Sequence, residues 1–181
     1  APCARGGRAS GEEHIMTLAI KRAELNELRP AAAMQAHAWR EAYQGLVGPS
    51  LFDDLDSGIN GVAARWADLI GLGQDLWIGV DEGKVVGVCH AGPARDDEPP
   101  TTVELTMLYR LEPYAGTGLA ARLLESALDN GAAYLWVLRG NVRAIAFYER
   151  HGFVQDGVER EQPEMAGAVE VRMVRQPRAP R

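Results

Sequence analysis

Between residues 103 and 128 an apolar strand, a glycine-bearing loop and an amphipathic helix follow one another without a break, and that order builds an anion site. Gly116 and Gly118 remove the Cβ atoms that would hold a ligand off the backbone. A helix opening at Gly118 presents unpaired N–H groups and the positive end of its dipole, for which phosphate is the natural guest. Leu119, Leu123 and Ala127, with Leu124 and Leu128, recur at helical spacing, so one face packs on a sheet and fixes the loop. Asn130 and Gly131 stop the helix.

The rest of the chain surrounds this unit with alternating strand and helix patterns. Residues 17–21 read as a first strand. A helix over 31–45 follows Pro30, with Met34, Ala38, Ala42, Trp39 and Tyr43 at helix spacing. A brief helical turn is predicted at 51–55, then a helix capped by Ser57 that holds Ile59, Val62, Trp66 and Leu69 and ends at 71–73. Residues 76–80 and 84–90 flank Asp81, Glu82 and Gly83 as a hairpin, and 92–101 form a polar loop with prolines. Beyond the central helix come a strand at 133–138, a short helix at 142–151, a strand starting at Phe153, a charged loop over 156–167 and a last strand at 168–174. The order predicts an α+β, or mixed α/β, domain with helices on both sheet faces.

Composition bounds the partners. The 181 residues fit one domain with a substantial core, and 46% hydrophobic with 24% charged residues is ordinary for a globular chain. A formal net charge of -6 argues against nucleic acid or an anionic membrane as partner. Two cysteines, Cys3 and Cys89, are too few for a metal cluster, so no metal and a reducing cytoplasm are expected. No apolar run reaches the roughly 18 residues that span a bilayer. Residues 1–15 read as a disordered extension ahead of Met16, residues 16–175 as one domain and residues 176–181 as a polar tail.

The glycine loop admits two readings. Gly116, Gly118 and Ala121 satisfy the letter of the dinucleotide fingerprint, but residues 111–115 separate strand from glycines, Arg139 stands where an acid is needed, and no second half of that fold follows. A Walker loop is excluded because no Lys-Ser/Thr pair follows the glycines. Taken with the turn at Pro113-Tyr114 and the later run Asn141-x-Arg143-Ala144-x-Ala146-Phe147-Tyr148-Glu149-Arg150-x-Gly152-Phe153, the loop resembles the GNAT superfamily of N-acetyltransferases over residues 17–174. Trp39 to Leu46, Arg65-Trp66 and Val171 to Val174 are also similar to family members.

That resemblance implies a mostly antiparallel central sheet whose two parallel strands, at 103–110 and 133–138, splay apart to admit the pantetheine of acetyl-CoA, the cosubstrate. Backbone groups of Leu108, Tyr109 and Arg110 would pair with it as with an added strand, and the Leu108 N–H would meet the developing oxyanion. Ala115, Gly116, Thr117, Gly118, Leu119 and Ala120 would hold the pyrophosphate, although Ala115 replaces the family's usual Arg or Gln, leaving Arg122 or Arg143 to supply charge. Acyl transfer to an amine needs an acid for the departing thiolate and a base for the amine. Tyr148, seven residues after Asn141, is the candidate acid, and Asn141 either contacts CoA or caps its helix. Glu104, an acid inside an apolar strand, is the candidate base, and alternation sets it on the face of Thr106 and Leu108. Tyr43 is the candidate acceptor contact, while His37 and His90 border the cleft more weakly. The expected reaction is direct transfer to a primary amine of a small molecule. The alternatives are a protein or peptide acetyltransferase and a non-catalytic acyl-CoA sensor, and a homodimer is left open.

Overall fold

All seven strands expected from the pattern join one sheet in the computed structural model, which describes residues 17–165 and 167–177. The expectations for residues 1–15 and for the end of the tail lie outside the described residues. The strands are β1 (Ala19–Arg22), β2 (Leu76–Asp81), β3 (Lys84–Pro93), β4 (Val103–Arg110), β5 (Ala133–Leu138), β6 (Phe153–Gln162) and β7 (Ala168–Arg175), in the order β1-β2-β3-β4-β5-β7-β6. Only β4 and β5 run parallel, and every other neighbour pair is antiparallel. The helices are α1 (Leu28–Tyr43), α2 (Leu55–Gly71), α3 (Leu119–Leu128) and α4 (Val142–Arg150).

Two apolar clusters cover the two sheet faces. Leu119, Leu123 and Leu124 of α3 pack with Leu105, Leu135 and Phe153, and α4 adds Ile145, Phe147 and Tyr148. On the opposite face Leu28, Ala31, Met34 and Ala38 of α1 meet Trp66 of α2 and Ile78 and Val88 of the sheet. The stripe read for α3 is the one buried, whereas in α1 Met34 and Ala38 are buried, Trp39 and Tyr43 only partly so, and Ala42 is exposed. Gly79 and Gly87 let α3 settle directly on β2 and β3: a Cβ at Gly79 would lie 2.4 Å from Leu119 Cδ1, and one at Gly87 2.8 Å from Leu123 Cδ1. An isolated glycine within an apolar strand signals such close approach.

The hairpin forms as expected, with Glu82 and Gly83 both at positive φ (47° and 78°), the conformation that matches strand twist in a two-residue turn. Some boundaries differ. α1 begins at Leu28 and carries Pro30 in its first turn, where a missing N–H costs nothing. Ser57 lies inside α2 and donates to the Asp54 carbonyl instead of capping. The charged stretch after residue 156, expected as a loop, is largely strand β6. Two of its polar side chains are satisfied across the pair, with Arg160 Nε 2.8 Å and Gln162 Nε2 2.7 Å from Glu170 of β7.

Candidate active site

β4 and β5 are bridged at one position, Glu104 opposite Tyr134, and diverge beyond it. The edge of β4 that faces away from β3 is thus left open from Leu105 onward. A cavity of about 570 Å³ fills the gap. It runs from Gly116, Gly118, Leu119 and Ala120, past Leu108 to Arg110, to Tyr43 at the end of α1. These residues, expected from separate motifs, are brought to one wall.

A local irregularity shapes β4. His90 and Ala91 are consecutive on β3, yet they face Met107 and Leu105, so Thr106 is an extra residue bulged out of the ladder. The bulge breaks alternation: Leu105 and Leu108 both join the α3 cluster, while Met107 and Tyr109 face α1 and α2. Alternation through this strand therefore does not set Glu104, Thr106 and Leu108 on a common face.

At the anion end Gly116 and Gly118 have φ of 73° and 82°, and a Cβ on either would find nothing within 4 Å. The left-handed backbone excludes most side chains, and the open space is what a phosphate could occupy. Gly118 is the N-cap of α3 and itself offers no side chain to the first N–H groups, of which that of Leu119 makes a long contact of 3.4 Å to Thr117 Oγ1. Thr117 braces the loop from behind, donating to the Tyr114 carbonyl at 2.8 Å, and the Tyr114 hydroxyl donates to Asp81 at 2.9 Å. Ala115 and Thr117 do not line the cavity. Arg122 turns away to the Leu18 carbonyl, whereas Arg110 and Arg143 line the cavity and share Glu112. The Arg143 guanidinium, aided by Arg110, holds the Glu112 carboxyl below its ordinary range.

Beyond the gap stand three tyrosines. Trp39 Nε1 donates to the Tyr109 hydroxyl at 2.9 Å, the Tyr43 hydroxyl is 3.4 Å from it, and Trp39 and Tyr43 meet edge to face. Tyr148 enters from α4 with its ring between Phe147 and Phe153, and among the described residues no protein group hydrogen-bonds its hydroxyl. Burial raises the pKa of all three phenols, so they remain protonated at neutral pH. Asn141 caps α4 by accepting from the Ala144 N–H at 3.1 Å, and it also lines the cavity.

Glu104 sits apart from this lining. It is 2% exposed, and its two oxygens receive Arg95 Nε (2.8 Å) and Nη2 (2.6 Å), with the Tyr134 hydroxyl at 3.1 Å. Burial pushes its pKa up, but the bidentate Arg95 and Tyr134 outweigh burial and hold it below the usual carboxylate range. It lies at the vertex of the gap, at the one position where β4 and β5 are bridged. Arg95 was hidden in a polar proline-bearing loop, and only its sequence proximity to a lone strand acid could have hinted at the pair.

Residues 32–153 match the family model described as Acetyltransferase (GNAT) family. The chain belongs to this family. Among GNAT relatives, Probable N-acetyltransferase Rv2775 of Mycobacterium tuberculosis is 29% identical over 142 residues, spanning 76% of this chain and 80% of that protein. Uncharacterized N-acetyltransferase Rv2669 of the same organism is 42% identical over 82 residues, 42% of this chain and half (50%) of that protein. The GNAT fold recurs in solved structures. PaiA N-acetyltransferase from Thermoplasma acidophilum, in complex with coenzyme A, superposes with a TM-score of 0.64 at 14% identity, covering 90% of this chain and 100% of that one. YncA from Salmonella typhimurium, solved with its cofactor acetyl-CoA, gives 0.62 at 18% identity, covering 88% and 93%. No helix among the described residues is long and apolar enough to cross a membrane, and none of their His, Cys, Asp and Glu side chains group as a metal site.

Proposed function

We propose that this GNAT protein transfers the acetyl group of acetyl-CoA directly to a primary amine of a small molecule. The observation that carries the reading is the single bridge between β4 and β5, with a cavity running from the helix N-terminus through the gap to the tyrosines. Acetyl-CoA supplies an activated acyl group. The backbone N–H groups at Gly118 to Ala120, with Arg143 nearby, suit its pyrophosphate, and the open edge of β4 suits its amide-bearing arm. The Leu108 N–H serves as oxyanion donor, Tyr148 as proton donor to the leaving thiolate, and Asn141 orients the start of α4. A second cavity of about 370 Å³ between α1, α2 and β4 supports a small acceptor, and Tyr109 lines both it and the gap, while Tyr43, the proposed acceptor contact, lines the gap. Incubation of the purified protein with acetyl-CoA and a panel of small amines should release CoA together with an acetylated product. CoA release only with peptides, or none at all, would replace this reading with a peptide acetyltransferase or an acyl-CoA sensor.

The phosphate end has its own test. Gly118→Asp sets a carboxylate where the phosphate meets N–H groups, in a left-handed conformation that Asp tolerates better than most residues. Loss of charge-assisted hydrogen bonds, roughly 1.5–3 kcal/mol, corresponds to a drop in acetyl-CoA affinity of about ten- to a hundredfold. Calorimetry on the folded variant checks it, and an unchanged Kd would move the cosubstrate away from this loop.

A further inference from the structure

Thr106, the bulged residue of β4, lines both cavities: it borders the gap between β4 and β5 and also the smaller chamber under α1 and α2. Behind it lies His90, 3% exposed and outside both linings. The His90 ring is engaged at both nitrogens, with Nδ1 2.7 Å from Thr106 Oγ1 and Nε2 3.0 Å from Gln74 Oε1. An amide oxygen can only accept, so Nε2 carries the proton, Nδ1 offers its lone pair, and the Thr106 hydroxyl donates to it. Thr106 Oγ1 also lies 3.2 Å from the His90 carbonyl, a longer and secondary contact. The space around the ring is closed: a Cβ at Gly92 would stand 2.6 Å from Gln74 Oε1 and 2.9 Å from His90 Cε1.

Resting on the acetyltransferase reading above, we infer that Thr106, His90 and Gln74 form the relay that removes the amine proton, with Thr106 as the catalytic residue and His90 the acceptor behind it. As the amine nitrogen bonds to the thioester carbon, its proton passes to Thr106 Oγ1 while the Thr106 proton passes to His90 Nδ1. The C–S bond breaks with its electron pair on sulfur, which takes a proton from Tyr148. One proton thus leaves nitrogen and one reaches sulfur; the proton on His90 Nδ1 returns by way of the Thr106 hydroxyl to solvent in the emptied gap, and Tyr148 regains its own from that solvent. The relay takes the place of Glu104, whose oxygens are held by Arg95 and Tyr134. Burial and the Arg95 charge lower the His90 pKa while Glu104 opposes them, so the ring is a neutral acceptor at pH 7.

The test combines kinetics with the titration of the His90 ring followed by NMR. Thr106→Val keeps the shape and removes the hydroxyl, and kcat should fall roughly ten- to a hundredfold with acetyl-CoA affinity unchanged. Thr106→Ser should restore most of the rate. Gln74→Glu sets a carboxylate on Nε2, so the ring titration and the acidic limb of the pH–rate profile should both move to higher pH, and by the same amount. His90→Gln, which cannot titrate, should abolish that limb and covers the case in which Gln74→Glu fails to fold. A folded Thr106→Val at the wild-type rate, or a ring titration that moves while the rate profile stays, overturns the relay and leaves the acetyltransferase reading intact. A wild-type protein that binds acetyl-CoA yet acetylates no amine removes both.

Discussion

Replacing Tyr148 by phenylalanine is expected to lower turnover by roughly ten- to a thousandfold, the usual scale of a lost general acid, while acetyl-CoA affinity and thermal stability stay near wild type. The ring holds its place through Phe147 and Phe153, with centroids at 5.3 and 5.7 Å, and phenylalanine keeps those contacts. Among the described residues the hydroxyl bonds to no protein group, so its removal leaves no orphaned partner. Burial, and to a lesser extent Tyr109 and Cys89, raise the phenol pKa, which keeps the proton in place across the working pH range. The measurements are single-turnover rates with a good amine acceptor, calorimetry with acetyl-CoA, and a melting curve. Wild-type turnover with chemistry limiting would make Tyr148 a packing residue and send the thiolate elsewhere for its proton.

The strand–loop–helix unit was legible because each part carries its own physical signal: an apolar run for β4, two closely spaced glycines for the loop, and leucines at helical spacing for α3. Asn141 and Tyr148 were legible from spacing and from the family resemblance together, and both line the cavity. The bulge at Thr106 was not, since nothing in Val103 to Arg110 marks a break in alternation. It arises from how β3 and β4 meet, a tertiary matter that propensity does not carry. β6 escapes the sequence pattern for the opposite reason. Its charged residues carry no apolar alternation, and the strand becomes visible only in its ladder with β7, where Arg160 meets Glu170. The tie between Arg95 and Glu104 joins a loop to a strand, and such pairs leave no periodic trace.

That tie predicts an acid-sensitive structure. Because the Glu104 pKa is held below its unfolded value, near 4.3 for a free glutamate, its stabilisation is fully present above that value and disappears as pH falls through the lowered one. Glu104→Gln keeps the volume and the Tyr134 contact but removes the charge that Arg95 grips with two hydrogen bonds. The Arg95 side chain is 64% exposed and regains water, so the cost lies below that of breaking a fully buried pair, at about 2 kcal/mol. In a domain of this size that is a fall of roughly 4–8 °C in Tm. The difference between wild type and variant should be constant at neutral pH and close as the solution is acidified below pH 4, which denaturation curves over a pH series would record. Its rate profile provides the complementary reading: with Glu104 as strut and the relay through Thr106 and His90 left in place, the change is uniform at neutral and alkaline pH, and the acidic limb moves to lower pH because the carboxylate that raises the His90 pKa is gone. A loss confined to neutral pH and restored in alkali would return Glu104 to the role of base and its pairing with Arg95 to that of a gate.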